Sequence, residues 1–280
     1  MGLRKSLLQL TAIMGISLLL AACSNTPVQE PDLPEEEYYQ EAQKAFDENR
    51  PSVAVQHLKD LDTRYPFGEY SQRVKLELIY ANFLAGEYIE SHSAANHFIQ
   101  NYPNHDFLDY AFYYRALSTY KGAENLSYRF LEQDLSERDV SEFLTSFNEF
   151  SELLKRYPTS AHAVDAKARM IFLRNTIAEH ELQVARYYFK RNAHLAALKR
   201  GQNVIKNYPS SNSIEDALAI IVQAYLGLEE EPLAKKNLAV LKLNYPMSSH
   251  LDTNGNFIMP ITPKDQEPDF WYWITLGWLD

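Results

Sequence analysis

Leu20-Ala21-Ala22-Cys23 contains the only cysteine in a chain of 280 residues, and its surroundings suit one reaction. Arg4 and Lys5 precede an apolar run from Leu7 to Leu20, and small residues then lead to the thiol. A charged region, a short hydrophobic region and a small-residue cut site are the parts of a secretory signal peptide. A cysteine directly after Leu-Ala-Ala looks like a bacterial lipobox. There the thiol is coupled to diacylglycerol, residues 1–22 are removed and the new amino terminus is acylated. The run is too short for the roughly 20 apolar residues of a membrane span. Several acyl chains, at about 0.8 kcal/mol per buried CH₂, anchor durably where a single chain binds marginally. This covalent lipid on Cys23 is the only prosthetic group the sequence leads one to expect.

No other constellation suits catalysis. The eight histidines are scattered, and His92 with His97 lacks both the i, i+4 spacing and the glutamate of a zinc protease helix. Glu179, His180 and Glu181 are consecutive, which splays them around a helix. Seven glycines outside the signal leave little scope for a nucleophile elbow, a phosphate loop or a dinucleotide fingerprint, and none is present. The expectation is a protein without catalytic or metal-binding residues. Ser24, in place of Asp, follows the pattern of lipoproteins carried to the outer membrane in diderm bacteria, so the expected location is the periplasmic face of that membrane.

The mature chain has 258 residues (280 minus 22) and no cysteine besides the anchored one, so no disulfide supports it. Without Arg4 and Lys5, 25 basic residues face 37 acidic ones, a formal charge of −12 that argues against nucleic acid as a partner. Nineteen Tyr and fourteen Phe require a role in packing or recognition.

The elements that must position these rings are marked by a recurring phrase. Tyr65-Pro66, Tyr102-Pro103, Tyr157-Pro158, Tyr208-Pro209 and Tyr245-Pro246 each close a helical-looking segment, at intervals of 37, 55, 51 and 37 residues. Small or apolar residues stand four, seven and about eleven positions upstream: Leu61, Leu58 and Ala54; Phe98, Ala95 and Ser91; Leu153, Phe150 and Ser146; Val204, Gly201 and Ala197; Leu241, Leu238 and Ala234. Steps of three and four place each trio on one helix face. Proline cannot continue a helix and forces its predecessor out of the α region, so each helix should stop near the tyrosine. First helices of the repeats are marked by Tyr38, Ala42 and Ala45; by Ile79 and Asn82 before Gly86-Glu87-Tyr88; by Ala185 and Tyr188 before Asn192; and by Val222 and Tyr225 before Gly227. The expected fold is all-α, a tetratricopeptide-repeat solenoid of about five helix pairs. The longer intervals would hold a helical excursion near Glu124–Asp139 and an extra helix near Ala161–Glu179. Such pairs bury their apolar faces only by stacking. Residues 23–36, with Pro27, Pro31 and Pro34, read as a lipidated flexible tether, 37–246 as the solenoid and 247–280 as an aromatic extension. In that extension Pro260, Pro263 and Pro268 favour extended chain, and Asp269 can cap a short helix from Phe270 to Trp278.

Arg64-Tyr65-Pro66-Phe67-Gly68, Tyr70-Ser71-Gln72, Leu78-Ile79-Tyr80-Ala81, Asp109-Tyr110, Tyr113, Arg115, Ser136-Glu137-Arg138-Asp139, Arg156-Tyr157-Pro158 and Val184-Ala185 together resemble the BamD family, lipoproteins of the outer-membrane β-barrel assembly machinery. The likeness covers roughly Glu37 to Leu243, and the extension is longer than the family leads one to expect. The resemblance implies an adapter that binds the periplasmic domains of the BamA insertase, the BamC lipoprotein and the terminal strands of unfolded outer-membrane proteins. It also implies that Arg200, matching an arginine of the family's fourth repeat, contacts BamA. Aligning the first two repeats by their prolines puts Tyr39, Phe46, Arg73, Tyr80 and Phe83 on the groove side of their helices. There the rings would hold an extended peptide and Arg73 its carboxylate. A scaffold for peptidoglycan-remodelling enzymes is the competing reading.

Overall fold

A computed structural model describes residues 33–128 and 139–260, and among them the regular structure is helical apart from one isolated β-bridge. Ten helices form five consecutive pairs: α1 (Glu35–Asp47) with α2 (Pro51–Arg64), α3 (Ser71–Leu84) with α4 (Tyr88–Asn101), α5 (Leu108–Tyr128) with α6 (Ser141–Arg156), α7 (Ala163–Lys190) with α8 (His194–Asn207), and α9 (Ile214–Gly227) with α10 (Glu231–Asn244). The chain is a tetratricopeptide-type solenoid, as its repeats led one to expect. Cys23 and its signal, most of the tether, residues 129–138 and the aromatic stretch 261–280 lie outside the described residues. Helix α1 starts two residues ahead of the boundary expected at 37.

Each second helix stops where proline requires. Tyr65, Tyr102, Tyr157, Tyr208 and Tyr245 all have φ near −130° with positive ψ, for example −126° and 58° at Tyr65. Each still donates its N–H to the carbonyl four residues back, closing the final helical turn. The next backbone turn is also shared, because residues 68, 105, 160, 211 and 248 donate to the carbonyl of the preceding tyrosine. Four helices then begin six residues after their tyrosine, at 71, 108, 163 and 214.

The turn inside a repeat follows the same rule. Asn49, Gly86, Asn192 and Glu229 lie in the left-handed region, with φ of 54°, 77°, 56° and 60°. Each lies sixteen residues ahead of its tyrosine (49 and 65, 86 and 102, 192 and 208, 229 and 245). Left-handed backbone costs an L-residue about 1–2 kcal/mol, and only glycine and, less freely, asparagine tolerate it. Glu229 is exposed and has neither advantage. Glu229→Gly should therefore raise stability by about 0.5–1 kcal/mol, once glycine's extra unfolded-state entropy is set against the relieved strain. Chemical denaturation would show it as a higher midpoint at unchanged slope, and a lowered midpoint would refute it.

The trios upstream of each tyrosine form the core. Ala54, Leu58, Leu61, Ala95, Phe98, Phe150, Leu153, Ala197, Val204 and Leu241 are almost fully buried. Where serine replaces alanine it is satisfied across the pair: Ser91 Oγ donates to the Ile79 carbonyl (2.7 Å) and Ser146 Oγ to that of Ala116 (2.9 Å). Gly201 has no room for a side chain, since a Cβ there would lie 2.9 Å from Ile221 Cγ1 and 3.2 Å from the Ala217 carbonyl oxygen.

The extra helix expected near Ala161–Glu179 is not separate. Residues 163–190 contain neither Gly nor Pro, and α7 runs unbroken through 28 residues into the first helix of the fourth repeat. Its first half joins the core built by repeats two and three through Ala166, Leu173 and Ile177. Its second half joins that of repeats four and five through Ala178, Leu182, Ala185 and Phe189.

After Tyr245 the chain makes the same turn again, but among the described residues no eleventh helix follows. Residues 248–258 fold back, with Leu251 bridging antiparallel to Phe257 and both packed against the buried cluster of Leu218, Ala219 and Leu241. His250 Nε2 lies 2.6 Å from Asp216 Oδ1, tying this segment to α9. The bond from His250 holds the Asp216 carboxyl below its ordinary range. The sign follows directly. A depressed carboxylate stabilises the fold above its unfolded value, near 3.9, and loses that contribution as pH falls through the folded value. Asp216→Asn should thus lower the denaturation midpoint at neutral pH, and the gap from wild type should close below about pH 4. A gap independent of pH would contradict this.

Candidate functional site

The first helices α3 and α5 touch, as do α7 and α9, whereas second helices of successive repeats make no comparable contact. First helices therefore line the inner face. On α1 the residues Tyr39, Gln43 and Phe46 share one stripe, and on α3 so do Arg73, Glu77 and Tyr80, by the same steps of four and three. The two stripes face each other. Glu77 accepts three hydrogen bonds, from Tyr39 Oη (2.8 Å) and Arg73 Nε (3.0 Å) on one oxygen and from Gln43 Nε2 (2.7 Å) on the other. The Tyr39 ring stacks on Tyr70 at 4.5 Å, and the Arg73 guanidinium carbon lies 4.9 Å from its centre. Burial first, and then the Glu77 carboxylate, push the Tyr39 hydroxyl far above its usual pKa.

Beyond this polar knot the inner face is aromatic. Phe46 stacks on Tyr80 (6.2 Å between centroids), Tyr80 meets Tyr114 edge-on (5.5 Å), and Tyr114 also touches Phe83 (5.2 Å) and Tyr110 (4.6 Å). Tyr113 stacks on His162 at 4.3 Å and donates to Asp165 (2.7 Å), which also accepts from Arg169 Nε (2.6 Å). Burial pushes the Tyr113 and Tyr114 hydroxyls up to about 12, with Asp165 adding to the effect at Tyr113. The result is a ladder of rings across α1, α3 and α5 that ends on the charged pair at the start of α7. Tyr80 is its most open rung, at 36% exposure. Beside it, a groove of about 1260 Å³ opens between the loops after α2 and α4, where Phe67 and Phe107 are largely exposed and Arg73, Glu77 and Leu76 form the wall.

The five residues expected in the groove thus divide. Phe46, Tyr80 and Phe83 do form the ladder. Tyr39 does not present a ring to solvent; it is 8% exposed, because Tyr70 and Arg73 sandwich it. Arg73 remains exposed but has one donor committed to Glu77, so it is a partly engaged cation rather than a free one. Proline alignment gives the face of a helix, not the partner waiting across from it. Tyr110 and Tyr114, from the aromatic run at 109–115, join the ladder, whereas nothing local in the sequence marks Gln43 and Glu77. Arg200 lies apart, on α8 in repeat four. Its Nη1 donates to both oxygens of Glu181 at 3.2 and 3.1 Å, and its side chain is about two-fifths exposed.

The architecture defines a repeat protein whose inner face is a continuous aromatic and polar surface, the form of a tetratricopeptide binding scaffold. Residues 31–241 match the family model described as YfiO, outer membrane lipoprotein, and the chain belongs to that family. Relatives carrying the name outer membrane protein assembly factor BamD include that of Vibrio cholerae, 34% identical over 84% of this chain and 97% of its own length. The Neisseria meningitidis serogroup B protein is 32% identical over 86% and 92%, and that of Neisseria gonorrhoeae 30% over 94% and 98%. A solved tetratricopeptide repeat protein from Parabacteroides merdae aligns over 75% of this chain and 92% of its own, at 14% identity and a TM-score of 0.29. The fold assignment rests on the helix pairs themselves rather than on that likeness.

Proposed function

We propose that this protein is a non-enzymatic adapter in the assembly of outer-membrane β-barrel proteins, held on the periplasmic face of the outer membrane by lipid on Cys23. Its relatives' name supports the process, and the aromatic ladder from Phe46 through Tyr80 to Tyr114 carries the reading of how it acts. An unfolded barrel protein ends in an extended strand whose alternate side chains are apolar and often aromatic. A row of half-buried rings supplies large contact area at small entropic cost, and tyrosine hydroxyls accept or donate along the backbone. Full burial of one or two such rings is worth roughly 1.5–3 kcal/mol each, at most about 6 kcal/mol together, which by itself gives an affinity of roughly tens of micromolar or weaker, suited to a hand-over step. BamA and BamC are the partners in this reading, with Arg200 at the BamA contact: its remaining donors suit a carboxylate across an interface.

Affinity purification from detergent-solubilised envelopes tests the proposal. BamA recovered in stoichiometric amount is the expected result, and Arg200→Leu should reduce that recovery. Because it also strips the 12%-exposed Glu181 of its ion-pair partner, Arg200→Leu with Glu181→Gln is compared with Glu181→Gln alone, which should retain BamA. Recovery of cell-wall hydrolases without BamA would overturn it. Cys23→Ser should release the protein from washed outer membranes in cells lacking BamA, and retention there would remove the anchor from the model.

A further inference from the structure

The outward face of α10 differs in kind from that of the other second helices. Five residues before the tyrosine, α2, α4, α6 and α8 carry Asp60, His97, Glu152 and Asn203, where α10 carries Val240. Two before it they carry Thr63, Gln100, Lys155 and Lys206, where α10 carries Leu243. Leu233, Val240 and Leu243 follow one another by seven and three residues and so form one stripe, which Met247 extends just past the helix. These four are 40%, 40%, 82% and 94% exposed. Val240 and Leu243 stand at registers that are polar in all four other second helices, and an exposed apolar stripe at such registers marks a surface with a partner.

We infer that residues 270–279 of this same chain cover that stripe. The chain leaves the described region at residue 260, directly after the 248–258 segment that already packs on Leu218 and Ala219 of α9 and Leu241 of α10. Ten further residues span up to about 33–36 Å when extended, more than the roughly 21 Å length of a 14-residue helix. Then comes a stretch dense in aromatic residues, Phe270-Trp271-Tyr272-Trp273-Ile274-Thr275-Leu276-Gly277-Trp278-Leu279. Charge agrees as well. Lys235, Lys236 and Lys242 flank the stripe, and Asp265, Glu267 and Asp269 precede the aromatic run.

All three tryptophans of the chain lie at 271, 273 and 278, so intrinsic tryptophan emission reports on this segment alone. The experiment compares the mature chain carrying Cys23→Ser, in detergent-free buffer, with the same chain carrying Val240→Glu and Leu243→Glu. Both altered side chains are exposed, and far-ultraviolet dichroism checks that the helices persist. Blue-shifted emission, weakly quenched by acrylamide, is expected in the parent, with a red shift and stronger quenching in the variant. Water-like emission in the parent would overturn the inference, as would blue emission that the substitutions leave unchanged. A shift that depends on protein concentration, with a dimer in light scattering, would assign the stripe to a second copy and overturn it too.

Discussion

Tyr80→Ala is expected to weaken binding of a terminal barrel-protein peptide by about tenfold, corresponding to roughly 1.4 kcal/mol. The ring is the most open rung of the ladder and meets only Phe46 and Tyr114 edgewise or offset, so its removal takes contact area from a ligand more than from the core. The melting temperature should fall only slightly. Tyr80→Phe keeps the ring and should retain most of the affinity, which separates ring contact from hydroxyl bonding. Tyr114→Ala is the contrasting case. It removes contacts to Tyr80, Phe83, Tyr110 and Tyr113 together, so binding and stability should fall in parallel. Unaltered peptide affinity in a folded Tyr80→Ala protein would remove the ladder from the binding surface.

The largest loss of stability is expected at Arg115. This side chain is 11% exposed between α4, α5 and α6; its Nη2 lies 2.6 Å from Glu152 and its Nε 3.4 Å from Glu149. Glu149 also meets His92 Nε2 and the Thr119 hydroxyl, each at 2.8 Å, while Arg156 shares Glu152. The guanidinium carbon is 4.8 Å from the centre of the Phe112 ring. Arg115→Leu leaves the Glu149 carboxylate, 14% exposed, without its main counter-charge. Breaking a buried pair from one side costs about 3–5 kcal/mol, and the partial exposure of Glu152 places the expectation near 3. For a chain of this size that is a fall in melting temperature of roughly 6–12 °C. Adding Glu149→Gln should recover part of it, because the stranded charge is then gone. A single-variant loss below about 1 kcal/mol would show that solvent already screens the cluster.

How far these features were legible depends on the range of the physics behind them. The helix stops were readable because proline acts on its immediate neighbour, and the buried trios because a helix face is a local property. The left-handed turns at Asn49, Gly86, Asn192 and Glu229 are built from three residue types, and only their fixed distance from the tyrosine unites all four. The long interval before Tyr208 suggests a boundary near Glu179, but residues 163–190 contain no Gly or Pro to break the helix, and one helix results. The triple acceptor role of Glu77 was not legible, because its donors come from two helices whose facing registers no single segment encodes. The return of residues 248–258 onto the last repeat was hidden for a related reason. His250 looks like any polar loop residue until Asp216, 34 positions earlier, is brought beside it.

Helix α7 gives the molecule a stiff keel. Its 28 residues span about 42 Å, with one half locked into the core that carries the ring ladder and the other into the core that carries Arg200. Elsewhere a solenoid can flex at each interface between repeats, but here the middle interface is bridged by covalent, hydrogen-bonded backbone. Bending between the two halves would have to break helical hydrogen bonds rather than slide one side chain over another. The separation between the ring ladder and Arg200 is thereby set like the span of a pair of calipers.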